Sequence, residues 1–440
     1  MPPAEQNDII ACPGCDLLLE DSGIPQGMSA FCPRCGCRLY SSLEASVDKT
    51  LAISITGLIL YFPAVLLPLI TLDTLGLKGA GSILDSMLVL FESGFYFVAV
   101  MVFLTALFFP FMRFFLMFIV SFLLKFRIRC RCLHILLRTY MHIEEWGMPE
   151  VYMISVLVTI IKMYHMASIE YDMGFFCFTL FMLTAVIQSI CFDRRRFWEI
   201  VESEGMAVSG KKSRLACCLE YLKRKGRIRK PVFAMAAGIA LCHDCHGLSC
   251  LRESGGRIAE KAACFRCGAP LHFRKPASME YTLAFLLTAI ILFFPANLMP
   301  MMKVDYLGVA QYSTIMDGII YFFEEGSYGI GAVILIASIL VPMFKIVGII
   351  MILCSIHFRW HSWLRHKAMM FRFIEFVGRW SMLDVFVVAL LQAIVNFGFL
   401  TSIEAASGAT YFSGVVVMTM FAAISFDPRL LWDAGADSPR

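Results

Sequence analysis

Residues 61–68 read Tyr61-Phe62-Pro63-Ala64-Val65-Leu66-Leu67-Pro68. The pattern returns as Phe293-Phe294-Pro295-Ala296-Asn297-Leu298-Met299-Pro300. Pro63 pairs with Pro295 and Pro68 with Pro300, both at an offset of 232. Each copy lies in an uncharged apolar run, where proline is tolerated only if the carbonyls it frees find other partners. A proline pair kept twice at one spacing marks a duplicated membrane unit. Two readings of the motif stay open: a helix broken around a lipid- or ligand-sized gap, or a membrane helix with an accommodated kink.

Working outward, the 440 residues are 59% hydrophobic and 16% charged, against about 25% charged in a soluble domain. Runs of about 20 apolar residues, the length that crosses a bilayer core, recur along the chain. They fall at 51–72, 95–124, 149–167 and 173–192, and again at 279–302, 328–356, 382–401 and 408–426. A short amphipathic helix is expected at 83–92, and the long second run should tilt, kink at Pro110 or project into the cytosol. The repeat holds residue by residue. Asp85 matches Asp317, Pro110 matches Pro342 and Arg113 matches Lys345 at offset 232; Trp146 matches Trp380 and Glu150 matches Asp384 at offset 234. Each half has an even number of spans, so the halves are expected to be parallel repeats.

The expected fold is therefore an all-α polytopic membrane protein: eight transmembrane helices in two tandem four-helix repeats, each preceded by a small cytosolic zinc ribbon. The expected divisions are a first ribbon at 1–45, a first repeat at 46–200, a basic linker at 201–235, a second ribbon at 236–275 and a second repeat at 276–440. Lys and Arg crowd the loops after spans two, four and six, which places both termini and both ribbons in the cytosol.

Eight of the 17 cysteines form four Cys-x-x-Cys pairs in polar segments. Cys12 and Cys15 precede Cys32 and Cys35; Cys242 and Cys245 precede Cys264 and Cys267. Two such knuckles about 15–20 residues apart have the spacing of a four-thiolate metal site. Two zinc ions are expected, with iron the lesser choice. His243 and His246 read as bystanders. A closed four-sulfur site has no open position, so it is structural and not catalytic.

Within the membrane runs, Lys162 sits late in span three. Its repeat counterpart is Asn396, with Gln392 one turn earlier, and Glu170 and Glu404 stand at matching outer turns. Intramembrane charge is costly, and these residues are candidates for a polar cavity that meets a lipid head group. The competing reading is a lysine snorkelling to the outer interface. Arg113 and Lys345 are expected to anchor the inner interface. No phosphate-binding glycine loop, metalloprotease helix or nucleophile triad is legible, so the chain is not expected to be an enzyme, and nothing points to nucleic acid.

Two Cys-x-x-Cys ribbons, each heading a four-span unit with a Phe-Pro-Ala-x-x-x-Pro motif, resemble the paraquat-inducible protein A family of inner-membrane proteins. The resemblance covers almost the whole chain and carries the family's metal ligands onto all eight named cysteines. The departure is Cys242-His243-Asp244-Cys245, which lacks the knuckle proline. The resemblance implies an inner-membrane partner of a periplasmic MCE-domain protein, moving phospholipid between inner and outer membranes and supporting envelope integrity. The readings it competes with are a membrane redox protein using Cys-x-x-Cys dithiols and an ion-gradient-driven small-molecule exporter.

Overall fold

The computed structural model describes residues 9–433 other than 22, 26, 42–46, 75–76, 129, 131, 164–167, 204–232, 252–261, 307–308, 327, 361 and 396–400. Most of the expected basic linker and Asn396 lie outside the described residues.

The first cysteine module pairs β1 (Ile9–Ala11) with β2 (Leu18–Glu20), and β3 (Ser29–Phe31) with β4 (Arg38–Ser41). The chain then runs as α1 (Val47–Leu66), β5 (Ile70–Thr74), β6 (Leu77–Gly81), α2 (Ile83–Glu92) and α3 (Tyr96–Val102). A π-helical stretch (Phe103–Phe108) joins α3 to α4 (Phe109–Lys125). α5 (Leu133–Glu144), α6 (Pro149–Met163), β7 (Ser168–Tyr171), α7 (Met173–Cys191) and α8 (Arg194–Ser203) follow.

The same order returns. The second module holds β8 (Ile239–Leu241), β9 (Leu248–Cys250), β10 (Ala262–Ala263) and β11 (Pro270–Leu271). Then come α9 (Ser278–Leu298), β12 (Met302–Tyr306), β13 (Val309–Ser313), α10 (Ile315–Glu324) and α11 (Tyr328–Leu335). A second π stretch (Ile336–Leu340) leads into α12 (Val341–His357), α13 (Leu364–Gly378) and a 3-10 turn (Arg379–Met382). α14 (Leu383–Ile394), β14 (Thr401–Ala405), α15 (Ser407–Ser425) and α16 (Leu430–Asp433) close the chain.

Local chemistry accounts for these boundaries. Ser82 and Asp85 close a capping box at the start of α2, and Thr314 and Asp317 close its counterpart on α10. Both helices end on a glycine with positive φ, Gly94 at 84° and Gly326 at 77°. Each π stretch runs up to the turn holding Pro110 or Pro342. Proline lacks an N–H and its ring collides with the carbonyl four residues back, and a widened turn relieves both problems.

The proline motif resolves the same way twice. Pro63 and Pro295 lie inside the last turns of α1 and α9, and Pro68 and Pro300 fall just beyond the helix ends. These helices end at the motif and are not broken within their length. The carbonyls of Pro68 and Pro300, just past the helix ends, meet Gly174 and Gly408 in the first turns of α7 and α15.

Seven helices among the described residues are long and apolar enough to cross a membrane. The expected run 382–401 instead forms the 3-10 turn and α14, whose 12 residues span about 18 Å. The expectation of an all-α fold also needs correction: the protein is mostly helical, with short sheets. Beyond the cysteine modules, β5 lies antiparallel between β6 and β7, and β12 between β13 and β14. Each sheet unites strands about 100 residues apart, so no local alternation announces it.

α6 and α14 lie side by side in the main core, with Ser155 donating to the Leu383 carbonyl at 3.1 Å. Arg113 and Lys345 are also interior, contrary to the expected interfacial anchoring. Both are buried. Arg113 donates to the Ala185 carbonyl at 3.0 Å and to the Ser189 hydroxyl, and Lys345 to the Thr419 hydroxyl at 2.8 Å. A neighbouring helix thus supplies acceptors to each cation.

Candidate functional site

The eight knuckle cysteines gather as two sets of four, all buried, with the sulfurs of each set within 4.8 Å of one another. Cys12 and Cys35 sulfurs lie 3.4 Å apart, Cys15 and Cys32 3.6 Å, and the Cys242–Cys267 and Cys245–Cys264 pairs 3.5 Å. Those gaps are too wide for disulfides. A tetrahedral ion with bonds of about 2.3 Å sets its sulfurs about 3.8 Å apart, close to what is seen. The residues therefore fit a divalent metal, which would be held by four thiolates with no open position.

The knuckle turns use left-handed backbone. Gly36 and Gly268 take φ of 69° and 73° after the second knuckle of each set, as their position suggests. After the first knuckles the same conformation falls on Asp16 and His246, at 63° and 54°. His243 and His246 face arginines: His246 Nε2 lies 3.2 Å from Arg194, and His243 Nε2 2.6 Å from Arg429. Burial, then the Arg429 charge, pushes the His243 imidazole down to about 4, so it is neutral near pH 7 and can accept from Arg429.

The modules dock crosswise. The first packs its cysteines against α12, α13 and α16 of the second half, through Phe371, Leu431 and Trp432 among others. Arg372 donates to the Cys35 carbonyl at 2.8 Å. The second module packs against α4, α5 and α8 of the first half, through Leu137, Tyr140 and Trp198. Arg138 meets Asp244 at 2.5 Å and Arg266 meets Glu202 at 2.7 Å. Asp16 ties module to module: its carboxylate accepts from the Met235 N–H at 2.9 Å and from Arg274 at 3.3 Å.

The membrane candidates separate. Gln392 is buried and satisfied, donating to Ser93 at 2.7 Å and accepting from the Ala405 N–H at 3.2 Å. Glu404 is exposed and lies 3.4 Å from Lys303 across the β12–β14 ladder. Glu170 is exposed on β7. Lys162 is half-buried; its ammonium rests 5.7 Å from the centre of the Phe322 ring on α10, and its electrostatic partner is Asp384 on α14. The sequence reading paired Asp384 with Glu150 but did not place it beside Lys162. The only available signal was that both are acidic residues near the start of an apolar run.

Apolar helices, paired short sheets and two buried tetracysteine clusters define a multi-pass membrane protein with two modules whose cysteines could hold a metal. The sequence model of the paraquat-inducible protein A family matches residues 47–202 and 279–435, and the chain belongs to that family. It is 32% identical over 429 residues to the intermembrane transport protein PqiA of Escherichia coli, covering 98% of this chain and 96% of that one. It is 30% identical over 426 residues to a probable intermembrane transport protein of Haemophilus influenzae, covering 96% and 95%. It is 27% identical over 429 residues to the lipophilic envelope-spanning tunnel protein A of Escherichia coli, covering 98% and 92%. No solved structure matches the chain.

Proposed function

We propose that the protein is the inner-membrane component of a system that moves phospholipid between inner and outer membranes with a periplasmic MCE-domain protein, and so supports envelope integrity. Likeness along nearly the whole chain to proteins named for intermembrane transport supports the reading. On this reading the chain is a tandem duplication of a four-span unit. α5–α6 and α13–α14 complete the third and seventh spans, and both termini and both modules face the cytosol. The modules hold two zinc ions as structural clamps, and the divisions are those expected at 45, 200, 235 and 275.

One observation supports lipid entry beside α6. The halves match in sequence order but not in packing. α2 lies along α14, whereas no comparable contact joins α6 to α10 among the described residues. Leu157 and Ile161 on α6 are 43% and 45% exposed, while Leu391 and Val395, their counterparts at offset 234, are 3% and 2% exposed. Lys162 adjoins that open apolar face. An apolar wall beside one cation suits an acyl chain with a phosphate head. The experiment is complementation of an envelope-defect phenotype by Lys162→Ala with protein level measured alongside. Loss of complementation at normal abundance supports the reading, and full complementation sinks it. The dithiol alternative is disfavoured because all eight knuckle thiols sit in closed, buried sets.

A further inference from the structure

The two cysteine modules sit in unlike charge settings, and the repeat shows how. Arg138 on α5 and Arg372 on α13 are counterparts at offset 234; Arg34 and Arg266, inside the second knuckles, are counterparts at offset 232. In the second module both arginines end on carboxylates, Arg138 on Asp244 at 2.5 Å and Arg266 on Glu202 at 2.7 Å. In the first module their counterparts end on knuckle carbonyls. Arg372 donates to the Cys35 carbonyl at 2.8 Å and Arg34 to the Cys15 carbonyl at 3.4 Å. Gly14 fills the knuckle place that Asp244 holds in the second module.

Arg365 adds another cation from α13. Its guanidinium and that of Arg372 each come within 3.8 Å of where a β-carbon on Gly36 would stand, directly after Cys35. Among the described residues none of Arg34, Arg365 and Arg372 forms an ion pair. Asp16 and Asp21 of the module are engaged by Arg274 and Arg195. Guanidiniums brought to one small loop system without an acid repel one another. Four thiolates around one divalent ion leave two negative charges over, and all four sulfurs of the set are buried beside these loops.

We propose that Arg34, Arg365 and Arg372 are the outer counter-ions of the first metal centre, so that metal affinity there is set partly by cations on a helix of the opposite half. An arginine fork on a knuckle carbonyl brings positive charge beside the thiolates and steadies the knuckle. At the second centre the equivalent arginines are already neutralised by Asp244 and Glu202 and lend little charge. The linkage runs both ways: α13 holds the metal, and the metal holds the first module on α13. α13 continues through the 3-10 turn into α14, so the first module's metal bears on a helix of the main core. The inference rests on the metal reading above and adds an inequality between the two centres.

The test is the rate of zinc release from the full-length protein in detergent to excess pyridylazoresorcinol. Arg365→Gln combined with Arg372→Gln keeps N–H donors and removes both charges. One of the two zinc ions should then leave about tenfold faster, and the other at its wild-type rate. Arg365→Lys combined with Arg372→Lys keeps the charges and should return the slow rate. Thermal midpoint and zinc content before release establish folding. A Gln pair that loads one zinc while the Lys pair loads two supports the same assignment. Wild-type rates in the Gln pair, equal acceleration of both ions, or a Lys pair as fast as the Gln pair overturns the counter-ion role. Wild-type protein that holds no metal overturns the metal reading itself, and zinc content alone identifies that outcome.

Discussion

Gly408 donates its backbone N–H to the carbonyl oxygen of Pro300 at 2.8 Å, and a β-carbon on it would lie 2.6 Å from that same oxygen. Gly174 lies as close against the Pro68 carbonyl oxygen, with no room for a β-carbon. The carbonyl at the proline turn is thus seated on the first turn of the next long helix. Gly174→Ala and Gly408→Ala should each cost about 1–3 kcal/mol through forced backbone movement. Gly318→Ala, where nothing lies within 4 Å, should be neutral or slightly stabilising. Thermal midpoints in one detergent compare the three, and equal midpoints for all would refute the seat.

The metal prediction is two zinc ions per chain. Cys→Ser at any of Cys12, Cys15, Cys32, Cys35, Cys242, Cys245, Cys264 or Cys267 should lower abundance, since a half-built site loses much of the metal's folding free energy. Metal analysis that finds iron, or none, rejects it. Normal abundance with lost activity would favour dithiol chemistry instead.

Gln392 joins the Ser93 hydroxyl of the first half to the Ala405 N–H of the second. Gln392→Leu keeps the volume and leaves a buried N–H without its acceptor. The expected loss is about 1–3 kcal/mol of stability. A midpoint unchanged within error would show that another acceptor takes over.

Asp427 gives a pH prediction. Its burial favours the neutral acid, but the Arg429 guanidinium at 3.0 Å outweighs that and holds the carboxyl below its ordinary value of 3.8. Folding therefore favours the ionised form. The stability this adds is full above the ordinary value and is lost as pH falls through 3.8 toward the lower folded value. Asp427→Asn should lower stability near pH 7 and lessen its fall in acid. An acid limb identical to that of the wild type would count against the pair.

Much of this was legible in the chain. The proline pairs, the four knuckles and the amphipathic segment 83–92 are local patterns of composition and spacing, and each forms where its pattern lies. What stayed hidden is non-local. β5 finds β7 only across two intervening spans. Ser155 and Leu383 lie more than two hundred residues apart, and they meet only because α14 presses against α6. The difference between an exposed Leu157 and a buried Leu391 is invisible in two near-identical apolar runs. It arises because α2 covers one central helix and α10 does not cover the other.

The crosswise docking of the cysteine modules sets a schedule for assembly. Cys12 to Cys35 leave the ribosome first, yet the surface they rest on is finished only by Leu431 and Trp432. At about 5–20 residues per second, the first module waits some 20–80 s for its seat. The second module finds α4, α5 and α8 already made. A chain stopped short of α16 would lack Leu431 and Trp432, so the first module would wait without that part of its seat.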